Sequence, residues 1–375
     1  MKKKIAIIGS GIGGLTAANL LIKNSDFEIT VYEKEKMLSL EEGYGVQLAT
    51  NSVSILNKIG FRNIDSNDIF NPTKLNFYSN NNKICDLDLD RFNKDSIKYT
   101  TLRRSTLIEF LKDKLFTNNF RFGKEVRKVS KIKDKLLINF SDNTNDLVDF
   151  IIVSDGVFSN SKSIIENKVI KPRYYGSVAI RSVIKFSENF NYESKNISLV
   201  MFPNAHLVIY PINKKEDFNL VCISREKLSQ NYDIRSIIQK RFLSKNKSLE
   251  NLFKDDLNLW PVYTSKKPIK SIYQNVFYLG DAFYTFVPAL AQGASQSIEA
   301  AYELFNLLHE NKKNIQNIYF DERLKKTKQI TKRSKFNYFG FHVSNSLLEI
   351  LRNFFLKRLI KNKNFIKSYL GKIYK

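Results

Sequence analysis

The chain has 375 residues, enough for two domains or one large α/β unit with an insertion, and its 43% hydrophobic content excludes a globally disordered protein. Two cysteines, Cys85 and Cys222, are too few for a disulfide framework, so we expect a reducing, cytoplasmic compartment. The net charge of +24 raises nucleic acid or an anionic membrane as partners, but the lysines are spread along the chain and no nucleic-acid-binding motif accompanies them, so we expect no nucleic acid.

The N-terminus predicts a strand, a turn, a helix and a second strand. An apolar run at 4–8 precedes GSGIGG, and a second apolar run ends at Glu33, with no signal peptide or transmembrane helix expected. Gly9, Gly11 and Gly14 form the G-x-G-x-x-G pattern of a dinucleotide turn. The first glycine permits the turn, the second admits a pyrophosphate and the third lets the helix pack on the strand. Glu33 can accept hydrogen bonds from ribose hydroxyls.

This turn alone does not distinguish NAD from FAD. The additional Gly13 and a second glycine-rich segment, at 43–45, favour FAD.

The rest of the chain predicts an insertion between two halves of one unit. Residues 43–61 read as a glycine-rich loop leading into a helix, 172–223 as strands, and the chain after VFYLGDA as helical to its end. The predicted class is α/β: a Rossmann-like FAD-binding domain with an inserted mixed β-sheet substrate domain and C-terminal helices. The FAD-binding domain would comprise 1–171 and 269–310, the substrate domain 172–268 with a candidate contribution from 72–99, and the basic helical region 311–375.

Two further motifs follow apolar strands. Asp155 and Gly156 stand directly after IIVS, and Gly280 and Asp281 follow VFYL. A D-G pair is also a common turn, but after a parallel strand it would aim a carboxylate into the cleft where α/β sheets bind ligands. After Asp281 comes Pro288 and then a run of small residues.

In chain order, GSGIGG with Glu33, then SDGVFS, then LGDAFYTFVPALAQGASQSIEAA resemble the single-component FAD-dependent aromatic hydroxylases and monooxygenases, which share the p-hydroxybenzoate hydroxylase fold. The chain looks most like their salicylate, hydroxynicotinate and urate hydroxylase branch, over residues 1 to about 310. The resemblance implies an NAD(P)H-dependent FAD monooxygenase. With O2 it would hydroxylate a small aromatic or heteroaromatic substrate through a C4a-hydroperoxyflavin.

The resemblance also implies cofactor contacts. The ADP half of FAD would lie on the glycine turn and Glu33, the ribityl chain on Asp281, and the flavin ring beside Gln47 and the small-residue segment. The residues implied are Gly9, Gly11, Gly13, Gly14, Glu33, Gln47, Arg104, Val126, Asp155, Asp281, Pro288, Gln292, Gly293 and Ala294. A helix starting near Gln292 could direct its N–H groups at flavin N1. Four positions depart from the family: Phe283 and Tyr284 replace Ala-His, Lys162 replaces an arginine, and Ala300 replaces the aspartate of an E-D-A segment in the following helix.

The strand NAHLVIYPI carries the candidate catalytic residues. His206 and Tyr210 lie four apart, so both point to one face of a strand, and the resemblance implies a substrate site there. Tyr210 could orient or deprotonate a ring hydroxyl, and Arg181 could bind a substrate carboxylate. A core tyrosine, a solvated histidine and a structural ion pair are the alternatives. No histidine has metal-ligand spacing, so no metal is expected.

Two other functions stay open: a membrane-associated flavin reductase or epoxidase acting on an isoprenoid lipid, and an FAD-binding protein without turnover. Residues 332–375 carry eleven Lys or Arg against one acid, Glu349. The apolar stripe there predicts a helix that packs on the body with a solvated basic end, or one that makes weak membrane-surface contact, which would make the protein peripheral to a membrane.

Overall fold

The computed structural model describes residues 2–38, 40, 44–185, 192–254, 256–371 and 373. Its elements confirm the predicted class, with a parallel sheet, a larger mixed sheet and C-terminal helices. The assignment of these parts to cofactor and substrate stays a prediction.

The first layer is a five-stranded parallel sheet in the order β18-β12-β1-β2-β8. Its strands are β1 Lys3–Ile8, β2 Phe27–Tyr32, β8 Phe120–Arg121, β12 Phe150–Val153 and β18 Val276–Tyr278. Because side chains alternate along a strand, Ile5 and Ile7 pack into a helical layer while Ala6 and Ile8 face the opposite side. Both faces are therefore covered, as a parallel sheet requires.

Helices cover one face of this sheet and a small antiparallel sheet covers the other. The helices are α1 Ile12–Leu21, α2 Thr50–Asn57, α3 Arg104–Lys112 and α6 Gly293–His309; the small sheet consists of β9 Val126–Ile132, β10 Lys135–Phe140 and β11 Asn145–Val148. Helix α4, Asn160–Ile165, follows β12.

The second layer is a seven-stranded sheet in the order β17-β13-β16-β15-β14-β5-β6. Its strands are β5 Lys74–Ser79, β6 Asn82–Asp88, β13 Arg173–Lys185, β14 Ile197–Phe202, β15 Ala205–Pro211, β16 Asp217–Arg225 and β17 Asn258–Thr264. One face packs with the region of α5, Ile234–Ile238. The other face, which includes Tyr210, packs with Ala289 and the C-terminal helices.

A three-stranded sheet lies beside the two layers, formed by β3 Gly45–Leu48, β4 Ile69–Phe70 and β7 Thr100–Arg103. The prediction of a loop before α2 is wrong for residues 45–48. Those residues pair with β7 in the register Gly45 to Arg103, a partner that the local sequence does not reveal. Gly43 lies outside the described residues.

The C-terminal helices are α7 Ile315–Phe341, α8 Ser346–Lys361 and α9 Lys363–Tyr369. The prediction of continuous helix after Ala282 is wrong for residues 283–292. There Pro288 lacks a backbone N–H, and Ala291 has a left-handed φ of 50°. In the described part of the chain, none of the helices combines the length and apolarity needed to cross a membrane.

Candidate active site

The predicted motifs meet at one edge of the parallel sheet. Strands β18, β12, β1 and β2 are adjacent, and their last residues Tyr278, Val153, Ile8 and Tyr32 are aligned in register. The segments that follow are Gly280–Asp281, Asp155–Gly156, the glycine turn and Glu33. Segments as far apart in sequence as Gly9 and Asp281 therefore leave the sheet side by side, at the edge where such sheets bind ligands.

The glycines of the first turn have two different roles. Gly9 has a φ of 99°, and a Cβ on Gly14 would lie 2.1 Å from the Gly9 carbonyl oxygen. A Cβ on Gly13 would lie 2.3 Å from Leu279 Cδ2. These three positions therefore serve the turn and its packing, whereas a Cβ on Gly11 would meet no atom within 4 Å. Gly11 borders open space.

Glu33 closes the turn from the next strand. Its Oε2 accepts hydrogen bonds from the backbone N–H of Ser10 at 3.0 Å and from the Ser10 hydroxyl. Helix α1 begins at Ile12 with no side-chain cap on its N-terminus. The Glu33 carboxylate and the uncapped N–H groups of α1 thus lie beside the same turn. They are the acceptors and donors that a ribose and a pyrophosphate need.

The D-G turn packs directly against the glycine turn, because the Ser154 hydroxyl donates to the Gly9 carbonyl at 3.0 Å. Burial raises the pKa of Asp155. Its Oδ2 accepts from the Ser161 N–H at 3.3 Å, while its Oδ1 has no partner among the described residues. A buried carboxylate oxygen without a donor is costly unless a ligand supplies one.

Asp281 lines a recess. Its side chain is exposed, yet desolvation by the surrounding protein raises its pKa to about 6, with Lys162 acting in the opposite direction. A carboxylate that faces a concave space can be accessible to solvent and still be desolvated by the protein around it. The family arginine is replaced by Lys162, which is buried and donates from Nζ to the Ala282 carbonyl at 2.7 Å. Burial lowers the Lys162 pKa, and the charges of Asp155 and Asp281 oppose this. One buried cation thus serves both motifs, a link that the sequence analysis missed.

The segment after Asp281 leads into helix α6. Pro288, Ala291 and Gly293 are exposed, and a Cβ on Gly293 would meet no atom within 4 Å. Helix α6 begins at Gly293, as predicted. Gln292 is buried, and its Nε2 has no partner among the described residues. Ser295 accepts from the Ala49 N–H at 3.2 Å, so small side chains here let the starts of α6 and α2 approach.

The remaining predicted cofactor residues lie on three different elements. Val126 is buried at the start of β9, Arg104 begins α3, and Gln47 lies in β3. The departure at Phe283 has a structural reason, since its ring packs against Tyr319 and Phe320 of α7. The cofactor contacts of Val126, Arg104 and Gln47 stay predictions.

Taken together, this edge fits FAD. Uncapped helix N–H groups, an unpartnered Asp155 oxygen and glycines facing open space are the features that a nucleotide would complete. No cluster of three or more metal-ligating side chains was found in the described ranges.

Tyr210 and Arg181 lie together on the second sheet. Tyr210 is 3% exposed, and burial raises its pKa, while the charge of Arg181 and a hydrogen bond with Gln47 act in the opposite direction. The Oε1 atom of Gln47 accepts a hydrogen bond from the Tyr99 hydroxyl at 2.8 Å. The Arg181 guanidinium lies 5.9 Å from the Trp260 ring centroid, and its Nε has no partner in the part of the chain that the structure describes.

His206 is not part of that group. His206 and Tyr210 are four positions apart along β15, which places them about 13 Å from each other. Its Nδ1 lies 2.7 Å from Nε2 of His342, at the end of α7, and burial lowers its pKa to about 3. The alternative of a solvated histidine is wrong, because α7 covers this end of the strand. Its catalytic role stays a prediction.

The chain was compared with known proteins. A family model described as an NAD(P)-binding Rossmann-like domain matches residues 7–41. The 3-amino-4-hydroxybenzoate 2-monooxygenase of Streptomyces cremeus is 24% identical, with 91% of this chain and 88% of that protein covered. The 6-hydroxynicotinate 3-monooxygenase of Pseudomonas fluorescens is also 24% identical, covering 82% and 83%. The structure of Klebsiella pneumoniae HpxO with FAD and uric acid has a TM-score of 0.86 at 18% identity, covering 98% of this chain and 97% of HpxO. Over nearly its whole length the chain is similar to the single-component FAD-dependent aromatic hydroxylases and has their fold, as its motifs predict.

Proposed function

We propose that the protein is an FAD-dependent monooxygenase that uses NAD(P)H and O2 to hydroxylate a small aromatic or heteroaromatic substrate. The observation that carries this proposal is the alignment of four strand ends, which brings Glu33, the glycine turn, Asp155 and Asp281 to one edge. The named relatives act on aminohydroxybenzoate and hydroxynicotinate, which supports this substrate class over an isoprenoid lipid.

FAD, when bound, would supply the electron and oxygen transfer that no amino-acid side chain provides. We propose that Glu33 and the N-terminus of α1 hold its ribose and pyrophosphate, and that Asp281 holds the ribityl chain. The N-terminus of α6 at Gly293 would stabilise negative charge on the reduced ring through its N–H groups.

On the substrate side, we propose that Tyr210 orients a ring oxygen. Because burial raises the pKa of Tyr210, its phenol stays protonated near neutral pH and donates a hydrogen bond. A protonated phenol is not a base, which favours orientation over deprotonation. Arg181, with an unpartnered Nε beside Trp260, would attract an anionic group of the substrate.

The test is NADH or NADPH oxidation by the purified yellow protein, with 18O2 incorporation into hydroxybenzoates and hydroxypyridines. Tyr210→Phe removes only the hydroxyl and should lower product formation about 100-fold while FAD content stays unchanged. Tyr232→Phe, which alters a tyrosine outside this group, is the matched control. Unchanged turnover in Tyr210→Phe would remove it from the mechanism, and absence of NAD(P)H oxidation with any substrate would favour an FAD-binding protein without turnover.

We also propose that the protein works in the cytoplasm, where free thiols such as Cys85 and Cys222 persist, and that its basic C-terminal region contacts a membrane surface weakly.

A further inference from the structure

Helix α8 packs with its polar side inward over its first turns. Arg352, whose side chain is 10% exposed, donates from Nη2 to the Ser79 hydroxyl at 2.8 Å and from Nη1 to the Gly340 carbonyl at 3.3 Å. The Ser79 hydroxyl in turn donates to Glu349. The charged residues that normally face water are therefore bonded to the body of the protein.

The outward side of these turns is apolar. Six large side chains there are between 43% and 67% exposed: Leu347, Leu348, Ile350, Leu351, Phe354 and Phe355. A helix that turns its leucines and phenylalanines to solvent while burying an arginine has the reverse of the usual surface pattern. Contiguous exposed apolar side chains of this kind mark an interaction surface.

Basic residues border this apolar surface at its C-terminal end. Lys357, Arg358 and Lys361 are exposed, and the Arg358 guanidinium lies 4.7 Å from the Phe354 ring centroid. Residues 332–375 carry eleven basic residues and one acid, a net charge of 11 − 1 = +10, and that acid is Glu349, which faces inward. The outer surface therefore combines apolar and cationic groups.

We propose that this α8 face, consisting of the six apolar residues with Lys357, Arg358 and Lys361, docks on an anionic lipid surface. Apolar side chains would enter the acyl boundary while the cations contact lipid phosphates, the arrangement of interfacial amphipathic helices. A second copy of the chain fits poorly, because a symmetric contact would place two segments of charge +10 against each other.

The opposite, inner side of α8 packs in the same layer as the proposed substrate site. Leu356 and Ile360, on the inner side of α8, pack in the apolar cluster that also contains Tyr210 and Ala289. The inference extends the membrane contact proposed above by naming the face and the lipid charge, and it rests on that proposal but not on the reaction.

The test is co-sedimentation of the full-length, FAD-loaded protein with vesicles of phosphatidylcholine, alone or mixed with phosphatidylglycerol. We expect pelleting with the anionic vesicles that weakens as salt rises. Leu351→Ser/Phe354→Ser should lower the partition coefficient at least about tenfold. Arg358→Gln/Lys361→Gln should lower it by about fivefold per charge. Phe116→Ser is the matched control, since this phenylalanine is 73% exposed outside the α8 face and should leave binding unchanged.

Three results would overturn the inference. The first is that the wild type stays in the supernatant with all vesicles. The second is that Leu351→Ser/Phe354→Ser pellets as the wild type does. The third is that this same variant loses a dimer or a protein complex while its lipid binding is unchanged. FAD content and NAD(P)H oxidation of the same preparations, measured without vesicles, separate a failed reaction from a failed membrane contact.

Discussion

The edge of the parallel sheet and the inner face of the seven-stranded sheet differ in how their candidate residues are held. At the edge, Gly9, Gly11 and Gly14 act through backbone geometry within one turn. On the inner face, Tyr210 depends on Gln47 and Arg181, and His206 on His342, all distant in sequence. Roles that rest on the backbone follow a local pattern, whereas roles that rest on a side chain follow its tertiary neighbours.

The largest expected effect separates two glycines within the edge. In Gly14→Ala the new Cβ would lie 2.1 Å from a backbone oxygen, which should destabilise the fold by about 1–3 kcal/mol and abolish FAD retention. In Gly11→Ala the Cβ enters open space, and φ of −76° suits alanine, so the fold should persist while FAD affinity falls about tenfold. Thermal unfolding and FAD titration measure the two effects, and an equal loss of stability in both variants would contradict the separation.

A smaller effect concerns the buried histidine pair. The pKa of His206 falls from 6.5 to about 3 on burial, so the unfolded chain binds a proton between these values and the folded chain does not. Stability is therefore complete above pH 6.5 and falls as the pH decreases towards 3. At pH 5 this costs about 2 kcal/mol from His206 alone.

His206→Asn should remove that pH dependence, so the difference in unfolding free energy between wild type and variant should shrink from pH 7 to pH 5. Urea unfolding at both pH values measures it. A difference that stays constant would show that this histidine is not buried in the neutral form. His309→Asn is the control, because the His309 ring lies elsewhere, beside Asn24.

The smallest effect tests whether the segment before α6, at the edge of the parallel sheet, depends on contacts with the distant helix α7. Asn337 of α7 donates to the Ala289 carbonyl at 3.1 Å and accepts from the Tyr369 hydroxyl at 2.8 Å. Asn337→Ala should loosen the segment proposed to lie under the flavin ring and weaken FAD binding about fivefold, the value of one hydrogen bond. Tyr369→Phe should have a smaller effect of the same sign. Unchanged FAD affinity and flavin fluorescence in Asn337→Ala would mean that residues 288–292 hold their conformation without α7.

Much of the parallel sheet could be predicted, because apolar runs, turn glycines and Glu33 lie within about 30 residues of one another. The strand at Gly45–Leu48 could not, since its pairing with β7 links segments more than 50 residues apart. The irregular segment 283–292 was missed for the opposite reason. Most of its residues are compatible with a helix, but Pro288 and the left-handed Ala291 prevent one.

The class of fold, the order of the three motifs and the glycine turn can be read from the sequence, because each depends on residue type at short spacing. The tertiary structure alone decided that Lys162 lies between the Asp155 and Asp281 motifs, that His206 pairs with His342, and that α8 turns its apolar side outward. These facts depend on which surfaces meet after the chain has folded. A hydrophobic period shows that a helix has two faces, but only packing determines which face is buried.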